Sequence, residues 1–382
     1  MTVRPCLPYT SKVCFLHCSP PLTSLILNST AKTDCLKRKQ SIHDLAKELN
    51  LSATTISFVL NGKAAEKRIS NGVKEKVLAY VKKTGYQTNM VAKSLRTGKT
   101  KIIGMLVEDI SDPFFSSIAR VVEEKAYKLG YKIFNSSTEN DTIRARDLIK
   151  VFRERQVDGY IIAPSPGIEE EIQQLVDDNF PVVLFDRYFP ELPTHNIIID
   201  NAGGAYDAMQ HFVENGYRSI GFVTLDSTQV QMQERLNGYL RATSENALQP
   251  FIQKVPYDTA LDKHDKIVEQ VKAFVGKNPG LDSILFATNY LAIAGLQALK
   301  DLNLTIPGNI AVIGFDDNTH FSLFSPSVTA VAQPVEEMSA KVMEQLMLCI
   351  KDENRKTKNT TIRLPTKLVI RESSLSRNGI EK

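Results

Sequence analysis

Several side chains able to do chemistry stand where an apolar run of this sequence has just ended. Asp186 closes PVVLFD and Arg187 follows it, Asp316 closes IAVIGFD, and Arg235 comes directly after the polar stretch DSTQVQMQE. Asp112 precedes Pro113, with Phe114 and Phe115 next in the chain. Carboxylates accept paired hydrogen bonds from vicinal hydroxyls, and an arginine fork donates to hydroxyl or ring oxygens or to an acid group. An aromatic face can also lie against the C–H face of a pyranose. This chemistry holds a small molecule; nothing in the pattern favours breaking a bond. None of the six histidines has an HExxH spacing, no GxSxG elbow occurs, and Cys14, His17 and Cys18 lack a second spaced pair to complete a tetrahedral metal site. No metal, cofactor or catalytic residue is expected.

A second polar set lies in LSATTISFVLNG, residues 51–62. At helical spacing Ile56, Val59 and Leu60 share one face, while Thr54, Ser57, Phe58 and Asn61 share the other. One face needs a core, and the other presents polar groups and a ring.

The elements that must carry these residues follow from periodicity and punctuation. From Ser41, apolar residues Ile42, Leu45, Ala46 and Leu49 recur at helical spacing. Asn50 and Leu51 then interrupt, and Ser52 is placed to cap a second helix by accepting a backbone N–H. A third helix follows Ser70, with Val73, Val77 and Val81 on one face and Gly85 as its stop. Residues 89–96 form a two-turn helical pattern, too short to be stable alone. Beyond it, strand-like runs (102–108, 131–137, 158–164, 181–186, 219–225, 283–288, 310–316) alternate with amphipathic stretches near 114–129, 168–178, 203–215, 234–247, 290–301 and 335–351. Such alternation predicts parallel sheets covered on both faces, divided between two sheets, each with a crevice at the carboxyl ends of its strands.

Charge divides the chain in the same place. Between residues 37 and 101, fifteen Lys and Arg face four Asp and Glu, a net +11, whereas the remainder of the 382-residue chain beyond 101 carries −9 of an overall +4. A basic module joined to an acidic body implies a polyanion partner for the former alone. Four of the five cysteines fall in the first 35 residues, so the folded part is not a disulfide scaffold. Residues 1–40 show no convincing periodicity and read as a disordered extension or a stretch upstream of a misassigned start, not as a targeting signal. No apolar run reaches the roughly 18 residues of a membrane span, so a soluble protein with no membrane partner is expected.

SIHDLAKELNLSATTISFVLNGK, GYQTNMVAKSLRTGKTKIIG and SDPFFSSIARVVEEKAYKLGYKI together resemble the lactose repressor and galactose repressor (LacI/GalR) family of bacterial transcription regulators, over about Ser41 to Ser374. The resemblance implies an all-α helix-turn-helix headpiece (41–86), a hinge helix and linker (87–100), and a two-lobed α/β body (101–375). That body has parallel, doubly wound sheets like those of periplasmic binding proteins. Lobe 1 is expected at about 101–200 plus 329–351, lobe 2 at about 201–328 plus 352–375. By the same resemblance the protein is a cytoplasmic homodimer on near-palindromic double-stranded operator DNA, a repressor controlled by a small-molecule effector of carbohydrate type. Its DNA-binding set comprises Ser52, Ala53, Thr54, Thr55, Ser57, Phe58 and Asn61 in the headpiece. Asn89, Lys93, Leu95 and Arg96 complete it in the hinge, with Leu95 as a wedge between base pairs. Where the family often has Arg, Phe58 stands, suited to a thymine methyl instead of guanine. The implied effector set is Asp112, Phe114, Phe115, Asp186, Arg187, Arg235, Asn289 and Asp316; Thr288-Asn289 departs from the Asn-Asp or Ser-Asp common in relatives. A transport-type solute-binding protein is the alternative, and residues 41–101 argue against it.

Overall fold

A computed structural model describes residues 40–86, 94, 97–257, 263–352 and 359–376. The chain forms two compact units divided between Asn89 and Met90.

Three helices make the first unit: α1 (Ile42–Leu49), α2 (Ala53–Leu60) and α3 (Asn71–Thr84). Each begins on a serine. Ser41 and Asp44 form a reciprocal capping box, the Ser41 N–H donating to Asp44 Oδ2 at 2.7 Å. Asn50 turns the chain out of α1 with φ at +54°. Ser52 Oγ then accepts the Thr55 N–H at 3.0 Å and starts α2. Leu45, Leu49, Ile56, Val59, Ala64 and Val77 bury together as the core, with Ile42, Leu60 and Val81 packed at its edge. The helical spacings of the sequence are therefore the spacings of a real core, which fixes the outer face of α2 toward solvent.

The second unit holds two six-stranded sheets. Its strands are β1 (Ile102–Val107), β2 (Lys132–Ser137), β3 (Gly159–Ile162), β4 (Val182–Phe185), β5 (His195–Ile199), β6 (Ile220–Leu225), β7 (Phe251–Val255), β8 (Ser283–Phe286), β9 (Ala311–Phe315), β10 (Thr329–Ala332), β11 (Thr361–Leu364) and β12 (Lys367–Val369). One sheet runs β11-β5-β4-β3-β1-β2 and the other β12-β10-β9-β8-β6-β7, with parallel pairing throughout except between β10 and β12. The helices are α4 (Pro113–Lys128), α5 (Thr142–Glu154), α6 (Glu169–Asp177), α7 (Asn201–Glu214), α8 (Val230–Glu245), α9 (Lys263–Lys277), α10 (Asn289–Asp301) and α11 (Val335–Lys351).

Topology corrects the expected lobe boundaries twice. Residues 329–332, expected in lobe 1, form β10 beside β9 in the second sheet; residues 361–364, expected in lobe 2, form β11 beside β5 in the first. The chain thus crosses between lobes three times, after β5, after β10 and after β11. The first crossing falls where the sequence places it, near residue 200, whereas the hydrogen-bond ladders set the second and third each one strand later than expected. A third correction concerns Arg235: α8 begins at Val230, so Arg235 lies in its second turn, not at the start of a helix near 234.

Close packing of α8 on α7 brings Arg235 inward. A Cβ on Gly238 would stand 2.2 Å from the Ala202 carbonyl oxygen, so only glycine permits this approach.

Candidate recognition helix and interlobe cleft

On α2, Thr54 is exposed and Ala53, Thr55, Ser57 and Phe58 are half-buried, while Ile56 and Val59 face the core. Ser52 Oγ, besides capping, lies 2.8 Å from Thr55 Oγ1. Asn61 turns its amide back to donate to the Ser57 carbonyl at 2.7 Å, closing the helix end. Phe58 carries the Lys67 ammonium 5.6 Å from its ring centroid. The outer face is thus a short row of hydroxyls beside one ring, with the Lys67 ammonium over that ring. Asn89, Lys93, Leu95 and Arg96 lie outside the described residues. Ser94 and Thr97 are helical, and the Gly98 N–H donates to the Ser94 carbonyl at 2.7 Å.

In the second unit, all eight residues of the expected effector set line one cavity between the two sheets. Lobe 1 supplies five of them, Asp112, Phe114 and Phe115 from the start of α4 and Asp186 and Arg187 from the end of β4. Asp112 caps α4, its Oδ1 accepting the Phe114 N–H at 2.8 Å, with Pro113 as first helical residue. Phe114 and Phe115, at 5.0 Å between centroids, pack edge to face; both are core residues and both reach the cavity wall. Asp186, just beyond β4, adopts φ +65°, a left-handed conformation that a side chain enters only at cost. It thereby presents its carboxylate to Arg187, whose Nε donates to it at 2.9 Å.

Arg187 is held on three sides. Its Nη1 donates to Asn140 at 3.0 Å and its Nη2 to Glu108 at 2.6 Å. Burial works against its charge, but Glu108 and Asp186 outweigh burial and raise its pKa. Glu108, which sequence reasoning missed, follows β1 as Asp186 follows β4. A charged residue closing an apolar run was the available signal.

Lobe 2 is organised by Arg235, which is 2% exposed. Its Nε donates to Asn201 at 2.9 Å, its Nη1 to the Ala287 carbonyl at 2.6 Å, and Nη1 and Nη2 grip the two Asp316 oxygens at 3.2 and 3.3 Å. The guanidinium also stacks 3.7 Å from the Phe315 ring centroid. Asp316, like Asp186, has φ +65° just past a strand. Gln333 donates to Asp316 at 2.6 Å. Gln229, Gln231, Thr288, Tyr290 and Gln333 also reach the cavity and were missed. Neutral amides carry no local signature, and only the meeting of two sheets brings them together.

Asn289 Nδ2 bridges the lobes, donating to Asp112 Oδ2 at 3.2 Å, and Gln229 donates across to Asn140 at 3.3 Å. The cavity measures about 50 Å³, against the roughly 300–1,000 Å³ of small-molecule sites. The lobes therefore stand closed on each other and must part to admit a ligand.

Burial, with the Asp316 carboxylate nearby, pushes the Asp112 carboxyl up from an ordinary 3.8 to about 6. A carboxyl raised in the fold binds its proton more tightly there than in the unfolded chain. Its stabilising contribution is therefore full below about 4 and lost as pH rises through about 6. Over that range wild-type protein loses up to about 3 kcal/mol that Asp112→Asn retains. Thermal melts of both proteins from pH 4 to 7.5 read this directly; parallel curves would contradict it.

Comparison with known proteins agrees with this architecture. Residues 41–89 match the family model described as bacterial regulatory proteins, lacI family, and residues 209–374 match a periplasmic binding protein-like domain. The HTH-type transcriptional repressor PurR of Photobacterium profundum is 30% identical over 339 residues, covering 87% of this chain and 98% of its own. A periplasmic binding protein/LacI transcriptional regulator from Alkaliphilus metalliredigens, solved with D-xylulofuranose, is 26% identical with a TM-score of 0.63, covering 72% of this chain and all of that one. The Lac repressor dimer bound to operator and an anti-inducer shares the fold across 89% of this chain and 100% of its own, at a TM-score of 0.78 and 21% identity. The match over residues 41–89 leaves a transport-type binding protein without support.

Proposed function

The chain belongs to the lacI family of bacterial regulatory proteins and is a DNA-binding transcriptional regulator; from that membership we propose a repressor whose hold on operator DNA is set by a sugar-class metabolite in the interlobe cleft. One observation carries the effector half of this reading: the eight residues singled out at strand ends and helix starts meet in a single cavity between two sheets. The protein works by binding, without catalysis, in the cytoplasm where operator DNA is found.

In this reading two protomers pair, and their α2 helices enter successive major grooves of a near-palindromic site. Ser52, Ala53, Thr54, Thr55, Ser57, Phe58 and Asn61 meet bases and phosphates. In the hinge, Asn89 caps the helix, Lys93 and Arg96 approach phosphates, and Leu95 wedges between central base pairs and kinks the duplex. Effector shifts the population between two lobe arrangements, and lobe 1 carries that change toward the hinge. Asp112, Phe114, Phe115, Asp186, Arg187, Arg235, Asn289 and Asp316 form the receptor.

Selection of the full-length protein on random duplexes tests the reading. The enriched pool should contain a near-palindrome, and an enriched pool without two-fold symmetry overturns the regulator model. On the selected site, Leu95→Ala should weaken binding about tenfold or more, since a lost wedge forfeits the contacts that kinking gains, while binding to unrelated duplex barely changes. Equal losses on both duplexes would remove the wedge.

A further inference from the structure

Four carboxylates and two guanidinium groups line the cleft: Glu108, Asp112, Asp186 and Asp316 against Arg187 and Arg235. No lysine joins them among the described residues lining it. Both cations are already spent on protein carboxylates, Arg187 on Asp186 and Glu108, Arg235 on Asp316. The carboxylates are likewise engaged. Asp112 accepts from the Phe114 N–H and Asn289, and Asp316 accepts from Arg235 and Gln333. No bare cation waits for an anion, and no bare carboxylate waits for an ammonium.

What the cleft lacks is donors. The Oε1 atoms of Gln231 and Gln333 are buried without a hydrogen-bond partner. The orientation of Gln333 is fixed, because its other amide atom must be the nitrogen to donate to Asp316. Buried acceptors of this kind cost free energy until a donor reaches them. Phe114, Phe115, Leu225 and Met232 complete an otherwise apolar wall.

From this balance of charge and donors, and building on the effector reading above, we infer that the cleft takes an uncharged, hydroxyl-rich ligand, an unphosphorylated sugar, and rejects the corresponding phosphate ester. Hydroxyl protons satisfy the two glutamine oxygens, and C–H faces meet the aromatic wall. A phosphate group adds two negative charges to a site already carrying an excess of them. Burial and, after it, the Asp316 carboxylate already hold the Asp112 carboxyl above its ordinary range, so further negative charge beside it is disfavoured. At an effective dielectric constant of about 20, repulsion over some 5–10 Å weakens the ester about a hundredfold or more relative to its parent.

Thermal shift of the full chain at neutral pH is measured with D-ribose, D-xylose, D-glucose and D-fructose, with their phosphate monoesters, and with D-glucosamine. Inorganic phosphate serves as a further arm. At least one parent sugar should stabilise the protein, with its ester about a hundredfold weaker and phosphate giving no shift. Asp112→Asn, which keeps the helix cap, should narrow the ratio between ester and parent about tenfold. An ester binding within tenfold of its parent, glucosamine preferred over glucose, a panel without any sugar binder, or an unchanged ratio in Asp112→Asn overturns the inference. A protein that selects a symmetric duplex yet fails here loses only the ligand class; one that selects no symmetric duplex loses the regulator reading instead.

Discussion

Raising salt from 50 to 200 mM weakens binding to the selected operator by about a thousandfold to a hundred-thousandfold if a dimer neutralises roughly six to ten phosphates. The number follows from counterion release: each neutralised phosphate contributes a slope of about −0.9 to log affinity against log salt. Fifteen cations face four acids between residues 37 and 101, so the pairing available within that block leaves most of them unmatched. Some are partly engaged. Lys67 lies 2.9 Å from Glu66, and Lys76 donates to the Leu49 carbonyl at 3.2 Å. Two headpieces need only three to five phosphate contacts each to reach the expected slope. A charge run that merely solvates the surface would give a slope near zero. Titrating affinity over four salt concentrations separates the two, and a slope shallower than about −2 would mean that the basic block does not grip the backbone.

Legibility of the molecule in its sequence differs by the range of the interaction. Helix starts depend on three or four neighbouring residues, so Ser52 and Asp112 were readable as caps, and each accepts a backbone N–H; Ser41 and Ser70, where helical patterns begin, cap their helices in the same way. Six central strands, β1, β3, β4, β6, β8 and β9, read as apolar runs because both faces are covered, whereas β5 and β10, equally central, were short and went unread. β7 and β11 sit at or near sheet edges with alternating exposure, and β12 is three residues long, so they carried little signal. The exchange of β10 and β11 between lobes depends on ladders linking residues more than 15 positions apart and left no local trace. The same holds for the cleft. Asp186, Arg235 and Asp316 announced themselves by charge after an apolar run or within a polar helix start, whereas Gln231 and Gln333 gain meaning only from the carboxylate and arginine that the fold sets beside them.

Arg235→Lys abolishes the effector response while leaving operator affinity without effector within a few-fold of wild type. The reason lies in what the guanidinium joins. Its bond to Asn201 fixes the residue just past the first crossing between lobes, and its grip on Asp316 reaches Gln333 at the second crossing. Asn201 also donates to Glu234, which pairs with Arg363 on β11, one residue short of the third. A single side chain therefore ties the ligand-facing carboxylate to all three connections through which the lobes must turn. Lysine keeps the charge but lacks the planar fork, so it cannot hold Asn201, the Ala287 carbonyl and both Asp316 oxygens at once. Arg235→Ala goes further, stranding Asp316 and Asn201 and costing about 3–5 kcal/mol of folding stability, which makes it the poorer probe. For the lysine variant, effector affinity should fall about a hundredfold, with a melt close enough to wild type to show a folded body. If Arg235→Lys still releases or tightens on operator at the wild-type effector concentration, the response does not pass through this residue, and the crossings must be governed from elsewhere in the cleft.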